Sequence, residues 1–363
     1  MLLSTKPDWE SCKQRYIAWW NHEDFGRAGI CVVAPLSPEK GSPPEPPKEK
    51  GARWTDKEYI CARMDYMLDN TFFGGEALPV WNAGYPGWDS MPVFWGCEVE
   101  LDDATGWQYP IMEKGELADY DPMAIKTNKD NPWYKLSVEF RKLTLEQCAG
   151  RALPSVGACG GGGDNLAALR GNERLLFDIK DDPDAVLALG MRLMDLWIEQ
   201  YEERYVFFRE AAEGSTCWFD MWSPGRFYSS QCDVAYMIST EDFDKCFLPA
   251  IEKQTRYIDH TVHHVDGVGN FRHVDALLSL ERLQAFQIAP GAGKPSALAY
   301  PETLFKVQRA GKNLWIHIQP EEIKTALDML SSRGLMIYTA AGSREEAEEI
   351  LRYVEKNSVV RKV

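Results

Sequence analysis

The sequence has no C-x-x-C pair, no signal-like start and no apolar run approaching the length of a membrane span. Its nine cysteines are an odd number scattered among apolar residues, which argues against disulfides and implies reduced thiols in a cytosolic protein. The opening MLLSTKPDWESCKQRY lacks a basic start followed by an apolar stretch, so the expectation is a soluble, cytoplasmic chain that neither crosses nor coats a membrane. Positive charge is scarce. With 40 Lys and Arg against 55 Asp and Glu, the net charge of -15 disfavours DNA, RNA and anionic membrane surfaces as partners. A small-molecule substrate is the expected partner, and a homodimer is compatible with the sequence.

What is present is alternation. The 363 residues exceed the usual single-core size, yet a barrel of alternating strands and helices runs as one domain at this length. Segments 216–222, 262–266, 285–290, 314–319 and 335–339 read as short apolar strands. Between them, Ser239 with Asp242 and Ser343 with Glu346 form capping boxes, and Pro301 and Pro320 take first helical positions. Such βαβα order demands parallel strands with right-handed crossovers. With 30–34, 78–82 and 152–158 in the less regular first half, the strands number eight, which predicts an α/β fold: a closed (β/α)8 TIM barrel with an N-terminal extension. Segment 35–53, rich in Pro, Lys, Glu and Gly, is expected to be a surface loop or mobile lid. Segment 92–109, with alternating Val93, Trp95, Cys97, Val99 and Leu101, reads as an inserted hairpin. There is no internal repeat and no linker, so residues 1–363 form a single domain.

In such barrels chemistry sits at the C-terminal strand ends, so polar residues there are the site candidates: Asn82, Asp164, Asp220, His264, Asp266, Gln287, His317, Gln319 and Tyr338. His264 and Asp266 lie two residues apart on one strand and so share a face, where they suit either metal ligation or proton transfer. Asp220 and His317 join them as candidate catalytic groups. The run from Gly157 to Asp164 admits two readings: a cysteine nucleophile at Cys159, or a glycine-rich loop offering N–H groups to an anionic ligand, which is preferred. Cys217 and Cys232 are read as packing residues. Most of the thirteen tryptophans are read as packing, but Trp222 and Tyr228 are expected to line a pocket for a flat ligand. Arg226, in Trp222-Ser-Pro-Gly-Arg226, is the candidate for gripping a substrate carboxylate.

Several segments in this order resemble the uroporphyrinogen decarboxylase superfamily: Gly163-Asp-Asn-Leu-Ala-Ala-Leu-Arg-Gly171 with Leu175-Leu-Phe-Asp178 and Asp182-Pro183, Trp222-Ser-Pro-Gly-Arg226 with Gln231-Cys-Asp233, His264-Val-Asp-Gly267, Gln319-Pro-Glu-Glu322 and Ser332-Arg-Gly334. The resemblance runs from about residue 78 onward and implies a (β/α)8 barrel with its site at the mouth. It also implies one of two activities: tetrapyrrole decarboxylation, or methyl transfer between corrinoid proteins and thiols such as coenzyme M. The decarboxylases' arginine-rich N-terminal segment has no match here, and Trp81-Asn82 stands where they carry an aspartate. The methyltransferases hold zinc with His-x-Cys and a distant cysteine; this chain has His264-Val-Asp266, and Thr339-Ala-Ala-Gly342 where the last cysteine would fall. Zinc on harder ligands, His264 and Asp266, is the metal site that the resemblance leaves.

The leading reading is therefore a methyltransferase working with a corrinoid protein or a small methyl donor. The alternative is a decarboxylase or lyase holding a carboxylated small molecule with Arg226, with Asp220 or His317 moving the proton. A carbohydrate-active barrel ranks lower, because no glutamate falls at a predicted strand end, and a non-catalytic binding barrel ranks lowest.

Overall fold

A computed structural model of the chain describes residues 3–82 and 87–362. Its strands are β1 (Gly29–Pro35), β2 (Thr71–Gly75), β3 (Val80–Trp81), β4 (Glu98–Leu101), β5 (Gly106–Tyr109), β6 (Leu153–Pro154), β7 (Ser215–Thr216), β8 (Trp222–Ser223), β9 (Phe227–Gln231), β10 (His260–Asp266), β11 (Ala285–Ala289), β12 (Asn313–His317) and β13 (Leu335–Ala340). Seven of them form the central sheet in the order β2-β1-β13-β12-β11-β10-β9. Every pair is parallel except β1 with β2. The parallel strands bury residues of both faces, as with Ala285, Phe286 and Ile288 on β11 or Leu335, Met336 and Ile337 on β13, because helices cover the outer side.

The remaining wall is thin. Strands β3 and β6 pair in parallel over two residues each, and a single bridge from Ser155 to Thr216 carries the pairing on to β7. Among the described residues the hydrogen-bonded ladder thus consists of a seven-stranded sheet with separate short pairs, and it does not trace the closed eight-stranded ring expected from the alternation.

One predicted strand is misplaced. Within segment 216–222, residues 217–221 are a turn between the antiparallel β7 and β8, with Asp220 held at a φ of 38°. The strand that pairs with β10 is β9, Phe-Tyr-Ser-Ser-Gln, whose Ser229 and Ser230 break the apolar run by which buried strands are recognised. The other capping and turn signals hold. Ser239 and Ser343 accept from Asp242 N and Glu346 N, and helix Pro301–Arg309 starts at its proline. The predicted hairpin exists as β4 with β5, while Val93 lies in the short helix Met91–Phe94.

Helix Trp9–Trp20, the N-terminal extension, covers the N-terminal side of the sheet. Trp19 Nε1 donates to Gly334 O just before β13, Trp20 Nε1 donates to Trp222 O, and the Trp9 and Trp222 rings meet edge to face at 5.3 Å. The 30-residue helix Pro183–Ala212 packs along the thin wall, stacking Trp197 on Tyr201 at 5.0 Å. Among the described residues no helix is long and apolar enough to cross a membrane. All nine cysteines are free, and eight of them are buried.

Candidate functional site

The parallel register aligns Gln231 of β9 with His264 of β10, and His264 with Gln287 of β11, in one row at the C-terminal ends of three strands. His264 Nδ1 is hydrogen-bonded to Gln287 Oε1. An amide oxygen only accepts, so Nδ1 carries the hydrogen and Nε2 is left as the basic nitrogen. The edges of Trp218 and Phe219 pack on the imidazole, with centroids at 5.5 and 6.0 Å.

A carboxyl pair adjoins the row. Gln231 Nε2 donates to Asp164 Oδ2 at 2.7 Å, and the Asp233 backbone N–H donates to Asp164 Oδ1 at 2.7 Å. Burial, with the Asp233 charge next in size, pushes the Asp164 carboxyl up to about 7. Asp233 is exposed as a whole residue, but its carboxyl is also raised, chiefly by desolvation; His264 lowers it and Asp266 raises it. Asp233 therefore feels the charges of His264 and Asp266, and Asp164 feels that of Asp233. Asp233 thus links the raised Asp164 carboxyl to the imidazole of His264, an arrangement suited to taking up and releasing a proton near neutral pH.

A second group stands on β12, β13 and the β7–β8 turn. His317 pairs in register with Tyr338, and their rings meet at 4.5 Å. Burial and then the Asp220 charge push the Tyr338 hydroxyl up to about 12, and desolvation raises Asp220 to about 6, although the residue as a whole is exposed. His317 is lowered by desolvation alone. Phe219 and Trp315, 3.9 Å apart, form an aromatic floor between this group and the His264 row.

A cavity of about 490 Å³ opens beside Asp164; its lining includes Asn82, Asp89, Trp218, Tyr228 and Gln231. Asp89 was invisible to sequence reasoning. It takes a two-pronged ion pair from the buried Arg204, with contacts of 2.7 and 3.1 Å, while Arg204 also donates to Val156 O. The partners lie 115 residues apart and leave no local pattern. The glycine run lines the cavity at Gly160, and two of its glycines are also required by packing. A Cβ on Gly161 would lie 2.5 Å from Gln231 O, and one on Gly163 would lie 2.5 Å from Cys232 Sγ. Cys159 is fully buried and burial pushes its thiol up to about 11, the reverse of an activated nucleophile. Cys217 and Cys232 are buried too, as a packing role requires.

Of the predicted residues, Asn82, Asp164 and Tyr228 line this cavity, though Tyr228 is almost fully buried against Trp197 and Tyr201. His264 and Gln287 stand in the row, Asp266 is two residues further along the same strand, and Gln319 caps the turn Pro320–Glu322. Two residues are not brought in. Trp222 is core, its indole N–H donating to Ala212 O beneath the N-terminal helix. Arg226 precedes β9 instead of following a strand, so it sits at the opposite end of the sheet, clamped to Glu202 by two 2.9 Å hydrogen bonds and stacked over Tyr205. Both corrections follow from the displaced strand, since a residue expected beyond a C-terminal end lies before an N-terminal one.

Zinc does not fit these residues. Among the described residues no three His, Cys, Asp or Glu side chains are grouped to hold a metal ion. Ala340 and Ala341, at and just beyond the end of β13, offer no ligand atom where a cysteine would complete a set.

No family model and no curated protein matches the chain in sequence. Among solved structures it is similar to a methyltransferase from Methanosarcina mazei, with a TM-score of 0.58 and 14% identity over 95% of this chain and 98% of that one. That likeness concerns the fold.

Proposed function

We propose that this chain is a methyltransferase-like enzyme of the uroporphyrinogen decarboxylase superfamily, built as a barrel and working at its C-terminal mouth on a small molecule. The observation that carries the reading is the row Gln231–His264–Gln287 with Asp164 and Asp233 beside it, in a fold similar to a methyltransferase. The methyl donor is a corrinoid held by a partner protein, or a small methylated molecule, and it acts as a substrate. The acceptor is a protonated nucleophile such as a thiol.

The residues supply the proton chemistry. As the acceptor's lone pair forms the bond to the methyl carbon, the donor–methyl bond breaks and its electron pair stays with the donor. The acceptor's proton passes to His264 Nε2 or to the Asp164 carboxylate. Gln287 holds the imidazole in the tautomer that can accept, and Gln231 holds Asp164 beside it. Trp218 and Phe219 exclude water from the imidazole face. The decarboxylase alternative loses its anchor, because Arg226 is occupied by Glu202 away from this end.

The test is anaerobic incubation with methylcobalamin and 2-mercaptoethanesulfonate, following loss of methylcobalamin by absorbance and the S-methyl product by mass spectrometry. Turnover that falls about 100-fold or more in His264→Ala and in Asp164→Asn is expected. Absence of turnover, or equal rates in the variants, would sink the proposal.

A further inference from the structure

A second cavity, about 550 Å³, lies at the C-terminal ends of β1 and β13 and shares no lining residue with the first. Pro43 and Pro44 of segment 35–53 form one wall; Tyr59, Arg63, Tyr66 and Met67 of helix Lys57–Asn70 form another. Arg63 is partly buried, yet among the described residues it has no carboxylate partner and no hydrogen bond. Its guanidinium lies over the Trp54 ring at 5.7 Å, and a second guanidinium, Arg53, lies over that ring at 5.0 Å. The platform is fixed, because Trp54 Nε1 donates to Asp102 O at 2.6 Å and Trp54 O accepts from Trp88 Nε1 at 3.0 Å. Among the described residues Arg53 donates to a carbonyl, Asp103 O, and its buried Nε finds no hydrogen-bond partner. Glu39 also lines the cavity but makes no ion pair with Arg63.

In a chain with a net charge of -15, two adjacent guanidiniums left without carboxylates are a cost unless an anion answers them. Burial, the largest cause, and the Arg53 charge pull Arg63 down, against an opposing pull from Tyr59. The walls are tyrosine, proline and methionine, so a hydrated inorganic ion would leave them uncovered, whereas a flat apolar body bearing an oxyanion would fill them. We propose that this cavity binds a planar organic carboxylate, its oxygens on the Arg63 fork and its ring against Tyr59 and Tyr66. The proposal stands apart from methyl transfer.

The test is calorimetric titration of the full chain with 2-naphthoate and with the uncharged 2-naphthamide. The carboxylate should bind at least about tenfold more tightly than the amide, and Arg63→Gln should weaken it about tenfold or more. Glu39→Gln should leave binding equal or tighter, and the melting temperature of Arg63→Gln should not fall, since an unpaired cation is being removed. Equal binding of acid and amide, equal binding to parent and Arg63→Gln, or no binding of 2-naphthoate would overturn the proposal.

Discussion

At the residue scale, two kinds of displaced ionisation pull stability in opposite directions with pH. Asp164 is raised to about 7 from an ordinary 3.8, so between those values the native state keeps a proton that the unfolded chain has lost. Stability therefore falls as pH rises through that window. His263, buried and hydrogen-bonded to Ser230 Oγ, is lowered to about 3 from 6.5, and here stability falls as pH drops through the window. Melting temperature measured against pH should thus fall less steeply between about 4 and 7 in Asp164→Asn, and less steeply on the acid side in His263→Asn, the remainder coming from groups such as Asp220 and His260. Unchanged slopes would mean that these groups titrate normally. By contrast His264→Ala, which loses edge contacts with two aromatics and one hydrogen bond, should cost no more than about 2 kcal/mol in urea unfolding while turnover falls about 100-fold or more. Asp164 and Asp266 were legible as candidates because they adjoin a glycine turn, and His264 and Gln287 because they are polar residues set in apolar strands. Asp89 with Arg204, and Arg63 over Trp54, were not, because charge pairing and stacking across the fold are fixed by tertiary approach.

At the scale of elements, the glycine run shows how a local signal can answer to two requirements at once. Four consecutive glycines suggest a ligand loop, and Gly160 does line the cavity, while at Gly161 and Gly163 the requirement is close approach to β9 and Cys232. Gly163→Ala should destabilise the chain by about 1–3 kcal/mol, measured by urea unfolding, because Cys232 Sγ and Phe247 have to give way. A wild-type midpoint would contradict the tight packing. Strand β9 was missed for a related reason: its serines are buried where one hydroxyl meets His263, and hydropathy alone cannot see a partner on the next strand. Segment 35–53 behaves as its composition predicts along most of its length. Asn70 ties down Lys40 and the Asp103 carboxylate ties down Gly51, with exposed residues between them. Trypsin should make its first cut at Lys48 or Lys50, read by mass spectrometry, and 2-naphthoate should slow it. First cleavage elsewhere would remove the lid from consideration.

For the whole molecule, the alternation in the C-terminal half was legible because buried parallel strands and capped helices follow one another with short turns, and β10 to β13 appear within a residue or two of their predicted bounds. The first half was less so, since its wall strands are two residues long and are held by side chains more than by pattern. That thin wall bears on how the molecule opens. A two-residue ladder offers few cooperative amides, whereas β10 to β13 are locked on both sides. In hydrogen–deuterium exchange, the amides of Val80, Trp81 and Leu153 should exchange well before those of Val262, Phe286 or Ile337. Equal protection would indicate a wall as rigid as the sheet. Arg204, joining Asp89 to Val156 O across this region, acts as its clasp, so Arg204→Met should speed exchange there first. The molecule has a seam, and it runs along the side where Asn82 and Ala158 border the cavity, so a brief parting of the wall would open that cavity sideways to solvent.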